Sequence, residues 1–319
     1  SQGYPDFDGP AALKEALCRH VRDGHNQYAP LAGILKLREQ IASKINTHYH
    51  HTACPEHNIT VVPGATEAIF CAIQASVHPG DQVIAFDPAY DSYEPSIQLC
   101  GAKAVHIPLL APDFAIDWQR VSDQLNPKTR MIIINNPHNP TGTVWSETDI
   151  QQLADLTANT NILLLSDEVY EHLVYDHRKH LSLLSYPELS ERAFVIFSFG
   201  KTYQVTGWKT GYCVAPRQLT TEFRKAHQFV SFVGVTPVQH ALADFMEQYP
   251  EHCLELPAFY QQKRDLLTSG LAQSGFKMQP SAGTYFQLAD YAEISDLPDT
   301  EFVEYLTKKV GVAAIPVSV

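Results

Sequence analysis

Short apolar runs alternate with longer amphipathic stretches along this chain. Residues 59–62, 82–86, 104–107, 130–135, 162–166, 194–198 and 212–215 are β-rich, four to six residues long and bounded by Pro, Gly, Asp or Asn. Runs of that length and texture predict strands buried on both faces. Between them, 65–77, 90–99 and 147–158 carry a helical spacing of apolar positions. The alternation predicts an α/β fold with a mostly parallel central sheet and helices on both faces.

Beyond Arg217 the texture changes. Residues 220–246 and 257–273 read as long helices, 276–288 returns to strand texture, and 299–309 is helical again. This predicts a second, smaller α+β unit. The division expected is a large domain over 25–255, with 1–24 and 256–319 forming the small one. Residues 312–319 read as a strand cut short, and Ser1 is preceded by no initiator Met. Both ends are therefore expected to be trimmed from a longer protein.

Composition narrows the function. The chain has 319 residues, 45% apolar and 18% charged, with a net charge of −12. An acidic chain without clustered Lys and Arg is a poor partner for a nucleic-acid backbone. Its apolar runs are too short for a membrane span. The six cysteines form no CxxC pair, which fits reduced thiols and a cytoplasmic location better than a disulfide framework.

Four segments, each just beyond a predicted strand, carry candidate chemistry. Ser198-Phe199-Gly200-Lys201-Thr202 places a lysine at a strand end, an unusual place because solvated lysines usually sit on helix faces, and it reads as a catalytic lysine or as a loop lysine that happens to follow a strand. Asp167 ends the strand 162–166. It reads equally as a helix cap or as a ligand group, because open parallel sheets bind ligands beyond the carboxyl ends of their strands. Asn135-Asn136-Pro137-His138-Asn139-Pro140 is a stiff loop, each proline restraining itself and its predecessor. It can aim an Asn amide. Pro63-Gly64-Ala65-Thr66 opens a helix with small residues, where backbone N–H groups can meet an anion.

In their order and joint presence these segments resemble the signatures of the class I aminotransferases, the fold type I group of pyridoxal 5′-phosphate (PLP) enzymes. The likeness extends through Gly3-Tyr4-Pro5-Asp6-Phe7, Asn26-Gln27-Tyr28, Asp87-Pro88-Ala89-Tyr90, Gly207-Trp208-Lys209-Thr210-Gly211-Tyr212 and Ala282-Gly283-Thr284-Tyr285-Phe286. The branch it is most similar to contains the methionine and the kynurenine–glutamine aminotransferases.

The resemblance implies roles. Lys201 bonds the cofactor aldehyde as a Schiff base. Asp167 pairs with the pyridine nitrogen, and Tyr170 and Asn139 bind the phenolic oxygen. Ala65, Thr66, Ser198 and Lys209 hold the phosphate, Lys209 standing where many relatives carry an arginine. Tyr90 stacks on the ring. Tyr28 reaches the phosphate of the partner subunit, making the active unit a homodimer. Gly3, Tyr4 and Asn139 line the substrate pocket, and Phe232 enters it from the partner. The implied reaction is ping-pong transfer of an amino group from an apolar, sulfur-containing or aromatic amino acid, methionine favoured, to a 2-oxo acid. The pocket residues leave two alternatives open, a PLP-dependent carbon–sulfur β-lyase and a non-catalytic PLP-binding module. The arginine that clamps the substrate carboxylate in relatives has no counterpart before Val319.

Other features read blandly. His48-Tyr49-His50-His51 with Cys54 and His57 fits no closed zinc spacing and reads as a polar surface connection, so no metal is expected. Arg38 reads as a residue of a solvated helix face.

Overall fold

The computed structural model describes residues 4–318. Its centre is a seven-stranded sheet of β1 (Ile59–Val62), β2 (Gln82–Asp87), β3 (Lys103–Pro108), β4 (Thr129–Asn135), β5 (Leu163–Asp167), β6 (Ala193–Ser198) and β7 (Gly211–Val214). The helices are α1 (Ala11–Arg22), α2 (Leu35–Tyr49), α3 (Ala65–Ser76), α4 (Tyr93–Leu99), α5 (Trp118–Gln124), α6 (Glu147–Thr157), α7 (Pro187–Ser190), α8 (Phe199–Thr202), α9 (Arg217–Val230), α10 (Thr236–Gln248), α11 (His252–Leu271) and α12 (Asp299–Tyr305).

The strand order is β1-β7-β6-β5-β4-β2-β3. The β3-β2-β4-β5-β6 neighbours pair parallel, while β7 runs antiparallel between β6 and β1. All seven expected strands are present, with ends moved by one residue at most, and the mostly parallel sheet is observed. Because β7 reverses, β1 again points the same way as β6. The carboxyl ends of β1, β2, β4, β5 and β6 therefore share one edge of the sheet.

Strand side chains alternate between two cores. Ile132, Ile134, Leu164, Val195 and Phe197 face one, covered by α2, α6 and α10. Met131, Ile133, Leu165, Phe194 and Ile196 face the other, covered by α3, α4 and α9. Burial on both faces is why these strands read as continuous apolar runs rather than alternating ones. The sheet ends differ. β3 is an exposed edge carrying Lys103 and Pro108, residues that discourage pairing with another chain. β1 is buried, and its outer backbone groups are satisfied: Val61 N donates to Ala32 O at 3.0 Å and Arg224 Nη2 to Ile59 O at 2.8 Å.

Four readings need correction. Residues 220–246 are not one helix: α9 stops at Val230, Phe232 has φ +65°, and Pro237 in the first turn of α10 starts a new helix. Residues 276–288 form no strand. Their pairings are isolated bridges, Lys277 with Asp290 and Gly283 with Val174, since strand texture without a neighbour to pair leaves only loop. Residues 312–318 form no strand either. Val317 N and Ser318 N donate to Asp299 Oδ2 at 2.9 and 2.8 Å, at the start of α12. Arg38 is 4% exposed, its guanidinium donating to Gly33 O at 3.2 Å, Pro55 O at 2.5 Å and Glu56 Oε2 at 2.9 Å. It pins the connection before β1.

Part of the histidine-rich stretch also lies elsewhere than expected. His48 and Tyr49 are the last residues of α2, and Tyr49 is buried. The described part of 1–24, expected with the small unit, packs through α1 on α10 and puts Leu13 and Ala16 into the main core. No helix among the described residues is long and apolar enough to cross a membrane.

Candidate active site

The shared edge of the sheet collects the candidate residues because each directly follows a strand whose carboxyl end points there. Gly64 to Thr66 follow β1, Tyr90 follows β2, Asn139 follows β4, Asp167 ends β5 with Tyr170 beyond it, and Ser198 ends β6 with Lys201 in α8. Lys209 enters from the other direction, just before β7. The register aligns them: Asn135 lies beside Asp167 and Ser198 beside Gly211.

Asp167 is the electrostatic centre. It is 4% exposed, and burial pushes its carboxyl up to about 6 against opposing help from the Tyr93 hydroxyl, Val169 N–H and the Lys201 charge. Tyr93 Oη donates to Asp167 Oδ2 at 2.7 Å. A buried carboxylate without a full counter-charge suits a cationic ligand atom, which a protonated pyridine nitrogen supplies.

Lys201 is half-buried. Its Nζ sits 2.5 Å from Tyr285 Oη, 5.5 Å from the Tyr170 ring centre and 5.1 Å from that of Tyr285. The two tyrosine rings meet edge to face with centres 5.2 Å apart. The amine thus projects into an aromatic corner with one polar partner at hand.

The loop after β4 is locked to β5. Asn135 Nδ2 donates to Asp167 O at 2.9 Å, while Asn135 Oδ1 accepts from Asn139 N at 2.6 Å. Asn136 donates to Leu181 O at 3.0 Å and accepts from Trp145 N at 3.1 Å. His138 is buried and held neutral by burial, down to about 4, beside Thr141 Oγ1 at 2.8 Å. Asn139 is therefore presented by a rigid support.

The fourth wall is an anion cradle. Gly64 has φ +86°, and a Cβ added there would lie 3.4 Å from Cε and Nζ of Lys209. The ammonium thus stands over the N-terminus of α3. Gly211 permits the close approach of β7, since a Cβ there would meet Phe197 O at 2.6 Å and Ala65 N at 3.1 Å. Thr66 Oγ1 lies 3.2 Å from Tyr90 Oη. Free N–H groups, the helix dipole and a lysine at one point suit a phosphate. This donor set, with Asp167 and Lys201, fits PLP.

The single chain does not bring every expected residue to this place. Tyr28 is 84% exposed and meets Phe232 edge to face at 5.6 Å. Tyr4 is 72% exposed, and Gly3 lies outside the described residues. The sequence reading assigned no role to Tyr93 or Tyr285. Tyr93 stands one helical turn after Tyr90, a spacing that could have suggested it. Tyr285 sits in Ala282-Gly283-Thr284-Tyr285-Phe286, a motif noted for likeness only.

Residues 1–319 match the family model described as aminotransferase class I and II. The chain is 50% identical over 319 residues to a methionine aminotransferase of Escherichia coli K12, covering 100% of this chain and 83% of that protein. It is 35% identical over 344 residues to human kynurenine–oxoglutarate transaminase 3, covering 99% of this chain and 76% of the other. A crystal structure from Escherichia coli, reported with a methionine aminotransferase function, superposes with a TM-score of 0.98 at 50% identity, covering 100% of this chain and 84% of that one. N-succinyldiaminopimelate aminotransferase from Mycobacterium tuberculosis gives 0.97 at 40%, covering 100% and 83%.

Proposed function

This chain belongs to the class I and II aminotransferases, which depend on PLP and exchange amino groups between amino acids and 2-oxo acids, and we propose that its amino donor is methionine or a similar apolar L-amino acid. The juxtaposition that carries the site assignment is Lys201 and the Tyr93-bound Asp167, beyond adjacent parallel strands. Half-identity to a methionine aminotransferase supports the choice of donor.

When bound, the cofactor supplies an electron sink for the charge that develops at the substrate α-carbon. The protein supplies placement and proton handling. Asp167 holds a proton on the ring nitrogen, and Tyr93 holds Asp167. Gly64 to Thr66, Ser198 and Lys209 would hold the phosphate, Asn139 and Tyr170 the phenolic oxygen, and Tyr90 would stack on the ring. Lys201 Nζ would hold the cofactor at rest and, once free as an amine, would take the proton from the substrate α-carbon as a base and deliver it as an acid to the cofactor carbon that carries the transferred nitrogen. Tyr285 Oη, 2.5 Å from Nζ, would position that amine.

Residues 25–255 are proposed as the cofactor-binding unit and 256–319 as part of the smaller one. The active unit is proposed to be a homodimer in which Tyr28 and Phe232, neighbours on the exposed surface, serve the partner's site. Six unpaired thiols support a cytoplasmic location.

The test is an absorption spectrum of the PLP-loaded protein. Methionine should bleach the visible cofactor band, and a 2-oxo acid should restore it. Lys201→Ala should not show the cycle. A band indifferent to methionine and other apolar amino acids but bleached by a charged one overturns the donor assignment. Thiol release without any acceptor would instead mark a lyase.

A further inference from the structure

Outside this site, three imidazoles converge. His20 near the end of α1, His25 in the following turn and His240 on α10 each offer one ligand atom, all within 4.8 Å of one another. The ring centres are 4.3 to 5.1 Å apart. His20 Nδ1 and His25 Nδ1 are only 2.7 Å apart, a distance that requires one proton between them.

The fourth participant is Asp244, one turn after His240. It accepts from His20 Nε2 at 2.8 Å and from Lys36 Nζ at 2.8 Å, with Arg19 Nη2 at 2.5 Å. With Lys36, Arg19 and His20 all donating to its two oxygens, Asp244 is the acceptor in each bond, so His20 presents its N–H at Nε2. That leaves Nδ1 as the atom aimed at His25. A carboxylate gripping the far nitrogen of a histidine is the usual way a metal-ligating imidazole is oriented.

We propose that His20, His25 and His240 form a binding site for a divalent transition cation of the zinc class, with Asp244 as the positioning residue. The cation replaces the proton shared by His20 and His25. Zn–N bonds of about 2.0–2.1 Å place tetrahedral ligand nitrogens about 3.3 Å apart, so His20 and His25 must open from 2.7 Å by side-chain rotation when the cation enters. His25 is exposed, so the fourth position opens to water. The site bridges α1, the 23–25 turn and α10. It thereby fastens the segment leading to Tyr28, whose Gln27 O already accepts from Thr236 Oγ1 at 2.6 Å. Its occupancy is a matter of structure, not of the amino-transfer chemistry.

The test is a zinc titration of PLP-loaded, chelator-stripped protein against a chromophoric competitor. One zinc ion per chain is expected, with a raised melting temperature. His25→Gln and His240→Gln should each weaken binding at least tenfold. His25→Cys, which keeps a donor, should retain it, and His57→Gln, at an exposed histidine elsewhere, should leave it unchanged. No competition for zinc by the wild-type chain, or equal binding by wild type and His25→Gln, overturns the site. His25 is on the surface, so its replacement tests ligation and not folding.

Discussion

Tyr93 Oη donates a 2.7 Å hydrogen bond to Asp167 Oδ2 in the interior of the site. The bond stabilises the ionised carboxylate against the burial that pushes it toward protonation. A hydrogen bond to a charged group contributes about 1.5–3 kcal/mol. Tyr93→Phe is therefore expected to weaken cofactor binding about tenfold or more and to move the acid limb of the pH–rate profile to higher pH. An unmoved limb would show that Tyr93 does not tune Asp167.

Asp167 gives a sign that stability measurements can check. Its folded value is near 6, above the usual 3.8. The raised carboxyl costs stability above about pH 6, less as pH falls toward 4, and nothing below. In cofactor-free protein at pH 8, Asp167→Asn should be stabilising by up to about 3 kcal/mol. The gain should vanish near pH 4, while activity is lost at every pH. Denaturant melts of both proteins at the two pH values decide it, and a destabilised variant at pH 8 would contradict the argument.

Gly64 is needed for two reasons at once. Its φ of +86° strains any L side chain, and the space beside it faces Lys209 Nζ. Gly64→Ala should cost about 1–3 kcal/mol of backbone energy, since φ +86° with ψ 164° is a region essentially reserved to glycine, and loosen the phosphate cradle. The expected outcome is weaker PLP retention on dialysis, with a normal catalytic rate at saturating cofactor.

Behind α8, Glu171 is buried with Lys44, which also bonds Tyr212 Oη at 2.9 Å. Burial raises the Glu171 carboxyl, but Lys44, His172 and Tyr49 together outweigh it and bring it to about 2. Lys44→Met leaves that charge unpaired and should cost about 3–5 kcal/mol near neutral pH. The stability from the depressed carboxyl is complete above about pH 4.5 and lost as pH falls toward 2. The gap between wild type and variant should shrink across that window in thermal melts.

Much of this protein is legible in its sequence. The seven strands announce themselves because both faces are buried, so hydrophobicity runs unbroken between turn residues. The positions of Lys201, Asp167, Asn139 and Gly64 follow from one rule, that a residue just past a parallel strand stands at the ligand edge. The break between α9 and α10 was written in Gly234 and Pro237, yet helical spacing on either side concealed it.

Local pattern decides which residues end a strand, since burial and backbone sterics act within a few neighbours. It does not decide which distant side chains meet. Arg38 carries a charge and sits at helical spacing, so it read as solvated, yet the fold folds Gly33 and Pro55 carbonyls around it. Tyr93 and Asp167 are 74 positions apart, and His20 and His240 are 220 apart. Only packing of the helices against the sheet creates those pairs, because side-chain contact depends on distance through space and the chain enters it from unrelated segments.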